Sequence, residues 1–246
     1  MKIKQEWFAS WFDSPYYHTL YKDRDETEAQ QFIERLLKHL KPQENSQALD
    51  LACGKGRHSL VLANNGLNVL GADLSPASIN AAKELENERL KFIVQDMREP
   101  TWNNRFDYIF NLFTSFGYFE RFVDNLRTIN AVHAGLKENG IFVIDFLNAI
   151  KTVNELVPKS EKEIDGINFE IERAEEKGII VKRIYVHDNG ECKSFQERVQ
   201  ALTLEDFEAY FYNKFQIRRL FGDYELNEFN EQTSDRLIIV AQKRRC

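Results

Sequence analysis

The run Ala48-Leu49-Asp50-Leu51-Ala52-Cys53-Gly54-Lys55-Gly56-Arg57-His58-Ser59 constrains this chain more than any other stretch. Residues 49–53 are apolar except for Asp50, the pattern of a short buried parallel strand. Gly54 and Gly56 then permit a tight backbone turn beneath a ligand. From Ser59 onward Leu60, Val61, Leu62 and Ala63 predict a helix that Gly66 ends, so the free N–H groups of its first turn face the glycines. A polar ligand is expected there.

Two ligand classes use such a turn. The dinucleotide fingerprint G-x-G-x-x-G places a third glycine where this chain has Ser59. Instead Asp50 stands four residues before the first glycine, and Asp73 ends the next apolar run, Val69-Leu70-Gly71-Ala72. An acid at the tip of the second strand can accept hydrogen bonds from both hydroxyls of a ribose. The combination fits a nucleoside without a pyrophosphate.

In these landmarks the chain resembles the class I S-adenosylmethionine-dependent methyltransferases, over residues 48–148, roughly two fifths of its length. Within that superfamily the run D-x-A-C-G-x-G-R-H is similar to small-molecule enzymes that N-methylate amino sugars of macrolide antibiotics. The resemblance implies an α/β, Rossmann-like sheet of seven mostly parallel strands in the order 3-2-1-4-5-7-6, the last strand antiparallel, flanked by helices. It also implies S-adenosylmethionine as cofactor and S-adenosylhomocysteine as product. Asp50, Ala52, Cys53, Gly54 and Gly56 would then surround the methionine end, Asp73 and Leu74 the ribose, and Asp96, Met97 and Arg98 the adenine. Asn111, Leu112 and Phe113 emerge from the fourth strand at the same edge. Lys55 stands where the family has Thr or Ser, and its side chain is expected to point to solvent.

At 246 residues the chain can bury a full α/β core as one domain with room for an insertion. A net charge of -6 argues against a protein that grips phosphate backbones, so no nucleic-acid partner is expected. Three cysteines, Cys53, Cys192 and Cys246, match neither a disulfide framework nor a zinc cluster, which suggests a reducing cytoplasm. No metal site is expected. The apolar run over 7–12 is too short and too aromatic for a signal-peptide core, and no run approaches membrane-spanning length.

Around this centre the chain reads as follows. Residues 1–24 are rich in aromatics, with Trp7, Phe8, Trp11, Phe12, Tyr16, Tyr17 and Tyr21. Such a segment either docks on the core or acts as a lid, its ring faces drawn to the sulfonium of the cofactor. Related enzymes fold an N-terminal helix and tyrosines over the cofactor; Tyr16 and Tyr21 are the candidates on the cofactor side and Tyr17 on the acceptor side. A helix over 25–40 is predicted, capped by Asp25 and Glu28. Ser75-Pro76 opens another helix, and strands are predicted over 91–95, 106–112 and 141–146, with a helix over 123–136 that stops at Asn139-Gly140. Partial alternation over 150–202 predicts an antiparallel insertion above the strand ends, with turns at Lys177-Gly178 and Asp188-Asn189-Gly190. A helix over 204–212 and strands over 215–220 and 236–242 complete the chain.

Methyl transfer from a sulfonium is an in-line displacement whose charge disperses in the transition state, so alignment and water exclusion matter more than charge stabilisation. An amine acceptor must lose its proton, and His18, His58, His133 and Tyr118 are the candidate bases, with Tyr118 and His58 taken as the catalytic pair. Tyr17, Phe116, Tyr118, Asp145 and Asn148 are the expected acceptor pocket; Asp145, within an apolar strand, must be paired or face a cavity. The sequence lacks an N-P-P-Y-type motif after the fourth strand, which weakens an adenine-base or glutamine methylase reading. The expectation is a cytoplasmic methyltransferase, monomer or homodimer, acting on a small molecule, with nitrogen slightly favoured over oxygen. The alternatives are a non-catalytic nucleoside-binding regulator and, disfavoured by Ser59, a nicotinamide-dependent enzyme.

Overall fold

The computed structural model describes residues 7–22, 26–99 and 101–244. Two short helices, α1 (Trp7–Phe12) and α2 (Pro15–Leu20), precede α3 (Glu26–Leu40). Ser14 caps α2 by accepting the Tyr16 N–H, with Pro15 in the first helical position. Asp25, expected to cap α3, lies outside the described residues. In α3 Phe32, Ile33, Leu36 and Leu37 recur at helical spacing and are buried.

Strands and helices then nearly alternate: β1 (Gln47–Leu51), α4 (Arg57–Asn64), β2 (Asn68–Asp73), α5 (Pro76–Ala82), β3 (Leu90–Val94), β4 (Phe106–Asn111), α6 (Phe122–Gly135) and β5 (Leu136–Leu147). After α7 (Ala149–Asn154) come four strands, β6 (Lys159–Ile164), β7 (Ile167–Glu176), β8 (Ile179–Asp188) and β9 (Glu191–Gln200). The chain closes with α8 (Leu204–Phe211), β10 (Phe215–Phe221) and β11 (Arg236–Lys243).

Seven strands form one sheet in the order β10-β11-β5-β4-β1-β2-β3. Pairing is parallel from β3 across to β5, and β11 runs antiparallel between β5 and β10. This is the order, and the reversed last strand, that the resemblance implies. Neighbouring residues of a strand face opposite sides: Ala48, Val69 and Val143 pack under α3, α4 and α5, while Leu49, Leu70 and Phe142 pack under α6 and α8. Each fully buried side chain of this size contributes about 1.5–3 kcal/mol, so both faces are covered for a physical reason. Chain order reverses between β1 and β4, and the crevice beyond their carboxyl ends is where open α/β sheets bind ligands.

Two boundaries differ from the sequence reading. Helix α6 ends at Gly135, within one residue of the expected Leu136, but β5 begins at Leu136 rather than at Ile141, pairing with β4 there before the register slips between Phe106 and Tyr108. Asn139, at φ 61°, sits within that irregularity and does not stop the helix. Over residues 159–200 the chain forms a separate antiparallel sheet, β6-β7-β8-β9. Its first hairpin turns at Asp165-Gly166, and β6 escapes the sequence pattern because its residues are charged or half-exposed. Helices α1 and α2 pack on this second sheet: Trp11 and Leu20 share a cluster with Phe169, Ile171, Ile184 and Val186.

Candidate functional site

The glycine turn leaves β1 with both Ala52 and Cys53 N–H groups donating to the Ala72 carbonyl, at 2.7 and 3.1 Å. Three residues adopt positive φ, Ala52 at 63°, Gly54 at 56° and Gly56 at 83°. The two glycines serve different ends. A Cβ on Gly56 would lie 2.4 Å from the Phe92 ring, so close packing beneath the turn excludes any side chain there. A Cβ on Gly54 would meet no atom within 4 Å, and that open space belongs to a cavity of about 390 Å³. Ser59, where a dinucleotide turn has its third glycine, is buried and donates through Oγ to Asp50 Oδ2 at 2.6 Å. Asp50 therefore ties β1 to α4 and does not line the cavity. Burial above all, with Asp73 nearby, pushes its carboxyl up to about 6.

Asp73, at the tip of β2, accepts the Gly54 N–H on Oδ2 and the Ser75 N–H on Oδ1, both at 2.8 Å. Burial raises its carboxyl above the ordinary carboxylate range against the pull of those two N–H groups, and Asp13 adds to the rise. Ser75 links the two acids, since its hydroxyl donates to Asp13 while its N–H serves Asp73. Past β3, Asp96 accepts a fork from Arg98, whose Nη2 lies 2.6 Å from Oδ2. Burial raises Asp96, but the Arg98 hydrogen bonds outweigh it and hold the carboxyl below its ordinary value. Arg98 itself lies over the Phe119 ring, 4.4 Å from its centroid, and is outside the cavity lining.

The cavity gathers Ala52, Cys53, Gly54, Asp73, Leu74, Asp96, Met97, Leu112 and Phe113 in its floor, with Tyr17, Tyr21, His58 and Tyr118 around it. Tyr118 stands among α1 rings, 5.4 Å from Trp7 and 5.5 Å from Phe12. His58 is stacked on Phe113 at 4.8 Å. His18 also lines the cavity; burial first, then Lys55, lower it below its ordinary value, which favours the uncharged ring. His133 instead packs against Phe215 at 5.5 Å, on a helix remote from the cavity.

Several expected site residues lie elsewhere, each for a local reason. Tyr16 donates to Asp188 Oδ2 at 3.0 Å and so turns toward the second sheet. Gly56 lies beneath the turn, on Phe92. Asn111 donates to the Leu51 carbonyl at 2.9 Å, stitching β4 to β1. Phe116 is buried against Phe207 and Tyr210. Asn148 donates to the Glu231 and Ser234 carbonyls, both at 2.8 Å, and fastens a surface loop. Asp145 is fully buried and bonded to Phe113, Tyr224 and Arg236 rather than forming a pocket wall.

Conversely, Phe8, Phe12, Asp13, Arg57, Ser75, Gln95 and Phe119 line the cavity without having been singled out. The aromatics were visible as part of a dense run, but Asp13 carried no spacing signal. Lys55 is exposed, as its place in the turn suggests, yet reaches the rim. The open position above Gly54, an acid with spare lone pairs at the β2 tip and an acid past β3 fit a nucleoside with a flexible polar tail. A cavity of this volume lies within the usual range for small-molecule sites.

The chain is similar to known proteins over most of its length. A family model described as "Methyltransferase domain" matches residues 42–184. The Bacillus subtilis (strain 168) protein named "Putative methyltransferase YqeM" is 31% identical over 212 residues, 81% of this chain and 85% of that one. Among solved structures, an S-adenosylmethionine-dependent methyltransferase from Clostridium acetobutylicum ATCC 824 superposes with a TM-score of 0.77 at 22% identity, covering 92% of this chain and 95% of the other. CalS10, an amino pentose methyltransferase from Micromonospora echinaspora, superposes with a TM-score of 0.69 at 18% identity over 94% and 98% of the two chains. With its strand order, its glycine turn and these matches, the chain belongs to the methyltransferase domain family, the S-adenosylmethionine-dependent class whose motif it carries.

Proposed function

We propose that the chain transfers a methyl group from S-adenosylmethionine to a small-molecule acceptor, with nitrogen favoured over oxygen. The observation that carries this reading is the convergence of the Gly54 turn, Asp73 and Asp96 from three successive strand ends on one cavity that Phe8, Phe12, Tyr17, Tyr21, Tyr118 and Phe119 also line. When bound, the cofactor supplies a sulfonium methyl group for in-line attack by an acceptor lone pair. Asp73 would hold the ribose hydroxyls, Asp96 with Gln95 and Met97 the adenine edge, and the turn from Ala52 to Gly54 the methionine end. Phe8, Phe12, Tyr17 and Tyr118 exclude water and present ring faces suited to a cation. Residues 7–22 act as the lid in this reading, and the second sheet carries them.

Acceptor-side chemistry falls to a small set. His18 and His58 are the imidazoles at the cavity placed to take a proton from an ammonium, directly or through water, and the Tyr118 hydroxyl is placed to orient the amine. Among the solved structures of this fold, CalS10 is named as an amino pentose methyltransferase, which supports an amine acceptor.

The test is calorimetric titration of S-adenosylmethionine and S-adenosylhomocysteine into wild type and Asp73→Ala. Wild type is expected to bind, and the variant to bind about a hundredfold more weakly, the equivalent of ~2.7 kcal/mol. No binding by folded wild type overturns the reading. Incubation with a panel of amines, acids and phenols, read as S-adenosylhomocysteine formation, then separates a methyltransferase of nitrogen from one of oxygen, and an enzyme from a nucleoside-binding regulator.

A further inference from the structure

Asp145 and Arg236 form a buried ion pair that the cavity lining does not include. Asp145 has no exposed surface, and its Oδ1 accepts from Arg236 Nε at 2.8 Å. Its Oδ2 accepts the Phe113 N–H at 2.9 Å and the Tyr224 hydroxyl at 3.3 Å, and its backbone carbonyl accepts the Thr114 N–H at 2.9 Å. Arg236 completes the ring of contacts, because its Nη2 donates to Thr114 Oγ1 at 3.0 Å. That oxygen also accepts the Leu147 N–H at 3.0 Å.

Four of these six bonds end on the same dipeptide, Phe113-Thr114. Phe113 and Thr114 both have left-handed backbone, with φ of 58° and 59°. Neither is glycine, and Thr is β-branched, so two such residues in succession are held against a conformational cost of about 1–2 kcal/mol each. Left to itself the chain after β4 would take another course. The consequence of the observed one is the position of a single ring: Phe113 lines the cavity, stacked between His58 at 4.8 Å and Tyr224 at 5.2 Å, with the Arg57 guanidinium 4.9 Å from its centroid.

We propose that the Asp145–Arg236 pair is a positioning device that holds the left-handed Phe113–Thr114 turn, and with it the ring that sets His58 and Arg57 against the ligand cavity. The identity of the ligand rests on the function proposed above; the holding of the turn does not. Asp145 and Arg236 are thus positioning residues: they act through Phe113, from strands whose cavity-distal ends belong to the core.

Amide hydrogen exchange on the full chain reads the turn directly. In Asp145→Asn the Phe113 and Thr114 amides are expected to exchange at least about tenfold faster while those of β1 and β2 keep their rates. A uniform acceleration across the sheet, or none at the turn, overturns the proposal, since a merely structural pair would loosen the whole core. If Asp145→Asn fails to fold, Arg236→Lys carries the same reading, as it keeps the charge but cannot bond Asp145 and Thr114 together. Titration with S-adenosylhomocysteine supplies the second arm. Binding about tenfold weaker than wild type in a variant with a loosened turn supports the link to the cavity, and unchanged affinity overturns it. Wild type that fails to bind sinks the proposed function instead, and the exchange arm still decides whether the pair holds the turn.

Discussion

The floor and the roof of the cavity are held by different kinds of bond. Below, the backbone N–H groups of Gly54 and Ser75 donate to the Asp73 carboxylate and those of Ala52 and Cys53 to the Ala72 carbonyl, so the floor is fastened through main-chain donors. Above, helices α1 and α2 are fastened by side chains to a sheet far along the chain. Trp11 Nε1 and the Tyr21 hydroxyl both donate to Glu197 Oε1, at 2.8 and 2.6 Å, and Lys182 joins Tyr21 and Glu197. A floor built from main chain is rigid and tolerates few backbone changes. The roof is held by those polar side chains together with the apolar cluster that Trp11 and Leu20 form with Phe169, Ile171, Ile184 and Val186.

The largest effect should come from the floor. Gly56→Ala forces a side chain onto Phe92 and a non-glycine residue into φ 83°, and is expected to cost about 2–5 kcal/mol in urea unfolding. Gly54→Ala, with open space around its Cβ, should cost only about 1–2 kcal/mol but weaken S-adenosylhomocysteine binding. Equal losses of stability from the two would erase the distinction between packing and ligand space drawn here.

Asp50 gives a pH-dependent version of the same contrast. Its carboxyl titrates near 6 in the folded chain and lower when unfolded, so the folded state holds a proton that the unfolded state has lost between those values. The stability this provides is complete below the unfolded value and disappears as pH rises through about 6. Asp50→Asn, which still accepts from Ser59, should therefore gain relative to wild type by about 3 kcal/mol between acidic and mildly alkaline pH. A pH-independent difference in unfolding free energy would show that Asp50 is not buried as a neutral acid.

The smallest effect belongs to the roof. Glu197→Ala leaves Trp11 Nε1 and the Tyr21 hydroxyl without their shared acceptor and is expected to cost about 1–2 kcal/mol. Ligand dissociation, followed by stopped flow, should quicken several-fold, while Asp73 and the turn remain intact. A variant with unchanged dissociation would mean that residues 7–22 do not close the site.

These contrasts also mark what could be read without a structure. The strand, turn and helix around Gly54, the acid at Asp73 and the acid at Asp96 were legible because each sits at the end of an apolar run whose period announces it. Asp145 was legible only as a buried acid in need of a partner. Its assignment to a pocket wall failed because the partners, Arg236 and Tyr224, come from 91 and 79 residues further on. Tyr16 was grouped with Tyr17 and Tyr21 as one aromatic run, yet a helical turn of about 100° per residue sends neighbouring side chains apart, Tyr16 to Asp188 and Tyr17 to the cavity.

By itself, then, the sequence determined the alternation of strands and helices, the glycine turn and the acids that surround it, since periodicity and backbone freedom are local properties. Tertiary structure alone decided which aromatic rings line the cavity, which acid holds the Phe113 turn and which sheet carries helices α1 and α2. Those outcomes depend on residues that meet across 32 to 186 residues, and no spacing within a run encodes a partner so distant.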